Sequence, residues 1–249
     1  MSNKWSSEEV ILALYAYCHV PFNKASNTNT WIVRIAKLIG RTPAAVKMKI
    51  GNLGAFDPQL KAKGIVGLSG TSKLDREIWE AYYGNWDKLS YDAEILLSQL
   101  ENRTIEETWN LPEGKDVFVM TKRRINQSFF RSAVLSSYNN TCCISGITHP
   151  NLLEACHIVG WSEDSAIRTD PMNGLCLTPT FHKAFDNLLI SITPDYILKI
   201  SESFKLSASK SSFGDYLKLR DNCMIILPDR FMPHKEYLEK NYDRLTKIN

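Results

Sequence analysis

Two stretches decide the fold of the C-terminal half: Glu154-Ala-Cys-His-Ile-Val-Gly-Trp161, and after a polar loop, Asp170-Pro-Met-Asn-Gly-Leu-Cys-Leu-Thr-Pro-Thr-Phe-His-Lys-Ala-Phe-Asp186. Residues 142–161 are interpreted as two short strands around a turn, and 152–158 are short and apolar, as a buried strand is. A helix is predicted to begin near Pro179, with Thr178 or Thr180 as its cap. His182 and Asp186 then lie one turn apart on the same helical face. The predicted order is strand, loop, helix.

Several separated motifs within residues 121–200 resemble those of HNH endonucleases, particularly a bacterial group. They are Glu-Ala-x-His-Ile at 154–158, Asn-Gly-Leu-x-Leu at 173–177 and His-x-x-Phe-Asp at 182–186. The resemblance implies a ββα-metal fold, in which a two-stranded hairpin and a helix grip one divalent cation beside a histidine. The expected fold class is α+β, with an N-terminal helical domain followed by this HNH nuclease domain.

The resemblance points to three signature residues, His157, Asn173 and His182. Hydrolysis of a phosphodiester needs a base that deprotonates water and a cation that neutralises charge on the phosphate and leaving group. His157 titrates near neutrality and is the predicted general base. By analogy with the family, Asn173 braces the loop and orients His157, and His182 binds the metal.

The expected cofactor is one divalent cation, Mg²⁺ in the first place and Mn²⁺ as the alternative. Asp186 supplies a hard oxygen one turn after His182. Many HNH sites have Asp or His directly before the general base, but here that position is Cys156, a soft ligand poorly matched to magnesium. Glu154 shares a strand face with Cys156 and is a further candidate ligand, directly or through water.

The sequence lacks the paired C-x-x-C motifs that hold a structural zinc in some HNH proteins. Thr178 and Phe181 occupy the corresponding places before His182. No structural zinc is therefore predicted. The six cysteines contain no C-x-x-C pair, and in a reducing compartment they are expected to be buried thiols rather than a disulfide framework.

The N-terminal segment predicts a helical domain over residues 1–115. Ser6 and Glu9 have capping-box spacing, a second helix stops at Gly40, and Thr42-Pro43 begins a third. The second and third predicted helices together resemble a helix-turn-helix unit, whose second helix commonly enters the major groove of DNA. Such pairs also occur in small bundles that never touch DNA, so both interpretations stay open. No aromatic base-flipping pocket is visible in the sequence.

Cations that are predicted to contact DNA phosphates stand in two groups. They are Arg41, Lys47 and Lys49 near the exposed side of the third helix, and Arg123, Arg124 and Arg131 in the stretch leading into the nuclease core. The alternative for both groups is a solvated face that contributes only solubility.

The remaining segments complete the organisation. Residues 54–73 are read as loop, with helices near 74–83, 88–102 and 128–138, strands at 197–200 and 223–227, and a last helix over about 234–246. The domains are predicted as 1–115 and 116–249, because Asn110, Pro112 and Gly114 mark a boundary.

Bulk composition excludes disorder, since 44% of the 249 residues are hydrophobic and 23% are charged. The net charge of +3 is too small to mark a nucleic-acid binder by itself. No apolar run reaches the roughly 18 residues of a membrane span and no signal peptide is apparent, so a cytoplasmic protein without a membrane partner is expected.

The predicted function is a metal-dependent DNA endonuclease of the restriction type that acts on double-stranded DNA. A homodimer would cut both strands and a monomer would nick, and the sequence does not decide between them. One alternative is a homing or phage-type nicking HNH nuclease. The other is a DNA-binding module whose HNH site is inactive, a hypothesis motivated by Cys156 in the ligand position.

Overall fold

The computed structural model describes residues 4–65, 70–109 and 117–248. By its internal contacts the chain divides into two compact units, residues 1–136 and 137–249. The first is helical, and the second combines two small sheets with helices. The predicted α+β class, with helices first and the sheet-containing half second, agrees with this architecture. Within the described ranges, no helix combines the length and apolarity needed to cross a bilayer.

The N-terminal unit is built around one buried helix. Its helices are α1 (Ser7–His19), α2 (Thr30–Leu38), α3 (Pro43–Gly54), α4 (Pro58–Ala62), α5 (Lys73–Tyr82), α6 (Trp86–Leu100), α7 (Ile105–Trp109) and α8 (Val117–Ser137). Residues 10–19 of α1 are all buried, and α1 contacts α2, α3, α5 and α6. A helix that is buried all round forms the centre of a bundle.

Local signals in the sequence placed the first three helices correctly. Ser6 and Glu9 form the predicted capping box of α1, and Gly40, at φ +66°, follows α2 in the left-handed conformation that glycine tolerates. Thr42 caps α3 with Pro43 in its first turn. The interpretation of residues 54–73 as loop is wrong in part, because Asp57 caps the short helix α4.

Helix α8 begins earlier than predicted, at Val117 rather than near Ser128, so the basic stretch 121–127 is helical. Phe129 packs against Tyr15 and Trp86, and the Ser136 hydroxyl donates to the Cys18 carbonyl. These contacts place residues up to 136 in the first unit. The boundary predicted near residue 115 lies in the stretch 110–116, outside the described residues, and stays a prediction.

The C-terminal unit contains two antiparallel strand pairs. Its elements are β1 (Glu154–His157), β2 (Gly174–Leu177), α9 (Pro179–Asp186), β3 (Ile190–Ile192), β4 (Leu198–Ile200), α10 (Glu202–Ser207), α11 (Ser212–Arg220) and α12 (Lys235–Ile248). β1 pairs with β2, and β3 with β4. The predicted helix at Pro179 and the last helix are confirmed.

The hairpin differs from the prediction of two strands within residues 142–161. Only β1 forms there, and its partner β2 comes after the loop 158–173. Residues 142–147 instead form a turn, in which the Cys142 and Gly146 amides donate to the Ile147 and Cys142 carbonyls. The later strand prediction is also correct in part, since the 223–227 run contributes an isolated bridge from Met224 to Ile197.

Candidate functional site

The candidate site lies where the β1–β2 hairpin meets α9. In the hairpin register, Cys156 is opposite Leu175 and His157 is opposite Gly174. Helix α9 contacts both strands. The interior of this small assembly is apolar, since Leu175, Leu177 and Phe185 are buried. The hairpin and the helix therefore hold their polar side chains on a packed support.

His182 on α9 stands between two carboxylates. Its Nδ1 lies 2.6 Å from Glu154 Oε2, and its Nε2 lies 3.6 Å from Asp186 Oδ2. The short contact is a hydrogen bond in which Nδ1 donates to the carboxylate. In the neutral imidazole the lone pair is then on Nε2, which is directed at Asp186. Glu154 thus orients His182, a role different from the direct metal ligation considered above.

Cys156 completes a cluster of three metal-ligand atoms with His182 and Asp186. One donor atom from each lies within 4.8 Å of the others, and Cys156 Sγ is 4.0 Å from Asp186 Oδ1. Burial, reinforced by the Asp186 and Glu154 charges, raises the pKa of the Cys156 thiol well above its ordinary value. The sulfur is therefore a protonated thiol at neutral pH in the absence of a bound cation.

His157 is held by the backbone of the loop that follows β1. Its Nε2 lies 2.9 Å from the Arg168 carbonyl oxygen, which only accepts hydrogen bonds, so Nε2 carries the proton and the neutral ring has its lone pair on Nδ1. Burial lowers the pKa of His157, against the opposing effect of the Arg168 hydrogen bond. The ring is consequently neutral at pH 7, the state that a general base needs.

Asn173 binds the same loop from the other side. Fully buried, it accepts from the Val159 amide at 2.8 Å and donates to the Val159 carbonyl at 3.0 Å. Its Nδ2 is also 3.4 Å from the Ile167 carbonyl, one residue before Arg168. The loop that carries the hydrogen-bond acceptor for His157 is therefore held at two points, Val159 and Ile167, by one carboxamide.

Residues 142–193, which contain this whole arrangement, match a family model described as HNH endonuclease. The C-terminal unit carries an HNH endonuclease domain. The resemblance drawn from the three motifs is thereby confirmed over this stretch, and a domain of this family supports nuclease activity. No curated protein matches the chain.

The donor set of the HNH domain fits a divalent cation. His182 Nε2 and Asp186 Oδ2 are 3.6 Å apart, and ligand bonds of about 2.0–2.2 Å allow two donors so close to share one ion. The Asp186 carboxylate suits Mg²⁺ and Mn²⁺, whereas the His182 imidazole and the Cys156 thiol suit transition metals such as zinc.

The cations predicted to contact DNA differ in their surroundings within the N-terminal unit. Lys49 is buried and pairs with Asp75 at 2.6 Å, while Arg41 pairs with Glu9 at 2.7 Å. Their expected place on the exposed side of α3 is therefore wrong, because both charges are neutralised inside the unit. Lys47 is exposed as predicted.

On α8, Arg123 and Arg131 are exposed. Arg124 is half-buried, and its guanidinium donates to the Trp109 carbonyl at 3.1 Å. All three arginines therefore lie on one helix, which begins before the start predicted near Ser128.

Sequence reasoning missed two features of the HNH domain. The Arg168 carbonyl carries no sequence signal, because every residue offers the same acceptor. The hydrogen bond between Glu154 and His182 had a weak signal, since a carboxylate two residues before Cys156 shares its strand face. Only the packing of α9 on β1 showed which group that carboxylate reaches.

Proposed function

We propose that this chain is a metal-dependent DNA endonuclease of the restriction type, in which the HNH domain hydrolyses phosphodiester bonds of double-stranded DNA. The observation that carries the proposal is the neutral His157, which is fixed through Nε2 on the Arg168 carbonyl. It follows Cys156 on β1, and Cys156 belongs to the cluster with His182 and Asp186. A base and a cation-binding cluster on one support meet the two requirements of phosphodiester hydrolysis.

His157 acts as the general base in this proposal. Its Nδ1 lone pair takes a proton from the attacking water, and the Arg168 carbonyl stabilises the resulting imidazolium through Nε2–H. Asn173 is a positioning residue, because it holds the loop at Val159 and Ile167 and never needs to touch DNA. The loop thus limits the rotation of the imidazole ring, which keeps Nδ1 directed at one point.

His182 and Asp186 hold the cation, with Mg²⁺ as the first expectation and Mn²⁺ as the alternative. When bound, the cation neutralises charge on the phosphate and on the leaving oxygen. Glu154 keeps the His182 lone pair on Nε2, as carboxylates commonly do for metal-binding histidines. Cys156 packs in the interior, and its soft sulfur is not a ligand of the hard cation in this proposal. The cation then has two protein ligands, and its other positions are open to water and phosphate.

The N-terminal unit supplies DNA recognition in this proposal. A compact HNH site contacts few base edges, so a separate helical unit is an economical source of specificity. Exposed Lys47, Arg123 and Arg131 are the cations retained as phosphate contacts. Buried Lys49 and enclosed Arg41 are not retained, because each is already paired with a carboxylate.

The test compares purified wild type with His157→Ala on methylated and unmethylated supercoiled plasmid, across Mg²⁺, Mn²⁺, Ni²⁺ and Zn²⁺. We expect metal-dependent cleavage by wild type and a loss of about 100-fold or more in the variant, the range of general-base catalysis. His149→Ala, at an exposed position of the same unit, is the matched control and should cut like wild type. Binding without cleavage under every condition would instead establish an inactive HNH module.

The same assay separates the modes of cleavage. Linear product formed without accumulation of nicked circles indicates a homodimer with one site on each strand, whereas nicked product indicates a monomer that cuts one strand. Dependence of cleavage on methylation would distinguish a modification-dependent enzyme from one that acts on unmodified DNA.

A further inference from the structure

A pocket of about 700 Å³ opens on one face of α3 in the N-terminal unit. The helix contributes the stripe at positions 45, 48, 49 and 52, and the opposite wall comes from the segments around Trp5 and Leu74. This stripe adjoins the α3 residues that enter the core, Val46, Ile50 and Leu53. The volume lies within the range of small-molecule sites. Thus the second helix of the helix-turn-helix-like pair presents a cavity.

The walls of the pocket are mainly apolar and include an aromatic ring. Half-buried Trp5 is fixed by two cations, since the Arg41 guanidinium is 4.3 Å and Lys49 Nζ 4.7 Å from the centre of its ring. Met48 is 58% exposed at the pocket wall, where its flexible thioether adapts to a flat ligand. An aromatic and a methionine wall suit a planar ring system.

The pocket wall also holds a carboxamide with an unmet hydrogen bond. Asn52 is only 9% exposed, and its Nδ2 donates to the Gly70 carbonyl at 3.2 Å. Its Oδ1 is buried and has no partner among the described residues. A buried acceptor without a donor is costly, and ligand binding is one reason for its retention. The missing partner is a hydrogen-bond donor, and an amino or imino group is one such donor.

The mouth of the pocket is electropositive. Lys4, Lys49 and Lys73 are among the lining residues, and none of these residues is acidic. Lys49 is neutralised by Asp75, whereas Lys4 and Lys73 are exposed, and Lys73 lies 3.4 Å from Glu77 in a surface ion pair. An anionic group attached to the planar ring is therefore accommodated.

We propose that this pocket receives a single unpaired nucleobase of DNA, whose flanking phosphate lies at the lysine-lined mouth. A base supplies the planar ring and the amino group, and the DNA backbone supplies the anion. The inference rests on the proposed function for its source of bases. It adds a recognition mode, in which the N-terminal unit reads one base outside the stack.

The test measures binding by full-length His157→Ala, which leaves the DNA intact. The probes are fluorescein-labelled duplexes of one sequence, either fully paired or with one central mismatch. A base that is already unpaired costs less to extrude, so we expect about tenfold tighter binding of the mismatched duplex. Equal affinities for the two duplexes would overturn the inference.

Substitutions at Met48 test whether the pocket causes that preference. Met48→Glu and Met48→Arg both obstruct the pocket at an exposed position that tolerates change, but they carry opposite charges. We expect both to abolish the mismatch preference, while Met48→Arg strengthens binding of both duplexes. Val33→Glu, on exposed α2 surface away from the pocket lining, is the matched control and should keep the preference. A preference that survives both Met48 variants would contradict the assignment.

Two further arms separate this inference from its alternatives. If free deoxynucleoside monophosphates bind in a Met48-dependent way and the mismatched duplex is not preferred, the pocket binds free nucleotides. That result would overturn the proposal that it receives a base of DNA. Plasmid cleavage by wild type decides the proposed function separately. If wild type cleaves plasmid but the mismatched duplex is not preferred, only the inference about the pocket fails. If the mismatched duplex is preferred but plasmid is not cleaved, only the proposed nuclease function fails.

Discussion

Glu154 Oε2 accepts a hydrogen bond from His182 Nδ1 over 2.6 Å, and this pairs the first strand of the HNH domain with its helix. The carboxylate that the sequence offered as a metal ligand is thereby engaged with the imidazole. Its effect on a cation is indirect, because it sets which nitrogen of His182 bears the lone pair.

Glu154→Ala is expected to weaken Mn²⁺ binding by about 10- to 100-fold, the usual cost of losing a partner of a metal-binding histidine. Glu154→Gln retains an oxygen that accepts from Nδ1 and should preserve most of the affinity. Isothermal titration with Mn²⁺ measures both, with exposed Glu239→Ala as the control. Equal losses in the Ala and Gln variants would indicate direct ligation instead.

Asn173→Ala removes the anchor of the loop 158–173. The Val159 amide and carbonyl lose their partners in a buried site, so the variant should be destabilised by about 1–3 kcal/mol. Urea unfolding measures this loss, and DNA cleavage should fall as well because the His157 ring loses its support. Asn187→Ala, at an exposed position on the same unit, should change neither property. A stable, fully active Asn173→Ala protein would contradict the positioning role.

Cys156→Ala tests whether sulfur takes part in metal binding. Because burial raises the pKa of the thiol, Mg²⁺- or Mn²⁺-dependent cleavage should stay within about threefold of wild type, as hard cations gain little from a soft donor. Binding of Cd²⁺, followed by the absorbance of the sulfur–metal bond, should be lost in the variant. A large loss of Mn²⁺-dependent cleavage in a folded protein would make Cys156 a required ligand.

Glu94 should make the N-terminal unit sensitive to pH. Desolvation by burial raises the pKa of its carboxyl, against the hydrogen bond that Tyr15 donates at 2.6 Å. Because the pKa is higher in the folded state, the contribution of this carboxyl to stability is complete below 4.5, its pKa in the unfolded state. That contribution is lost as the pH rises through the folded-state pKa.

Glu94→Gln keeps the acceptor for Tyr15 and removes the titration. The stability of wild type minus that of the variant should therefore fall as the pH is raised from 4.5, as measured by urea unfolding at a series of pH values. Glu80→Gln, exposed on α5, provides the control. A difference that does not change with pH would refute the assignment.

The amino-acid sequence by itself determined the starts of the first three helices and the family of the C-terminal motifs. Capping pairs such as Ser6 and Glu9 act within one helical turn, so their spacing alone placed the helix starts. The same holds for His182 and Asp186, which share a face because the helix has a fixed period. Motifs of this kind need no knowledge of the remaining chain.

Only the tertiary structure decided which distant groups meet. The partner of His157 is a backbone carbonyl eleven residues away, and the burial of Lys49 depends on Asp75, which comes from α5. Residue type does not encode such pairs, because a carbonyl is common to all residues and a lysine is usually solvated. The pocket on α3 has the same origin, since its walls come from three segments that become neighbours only when the helices pack.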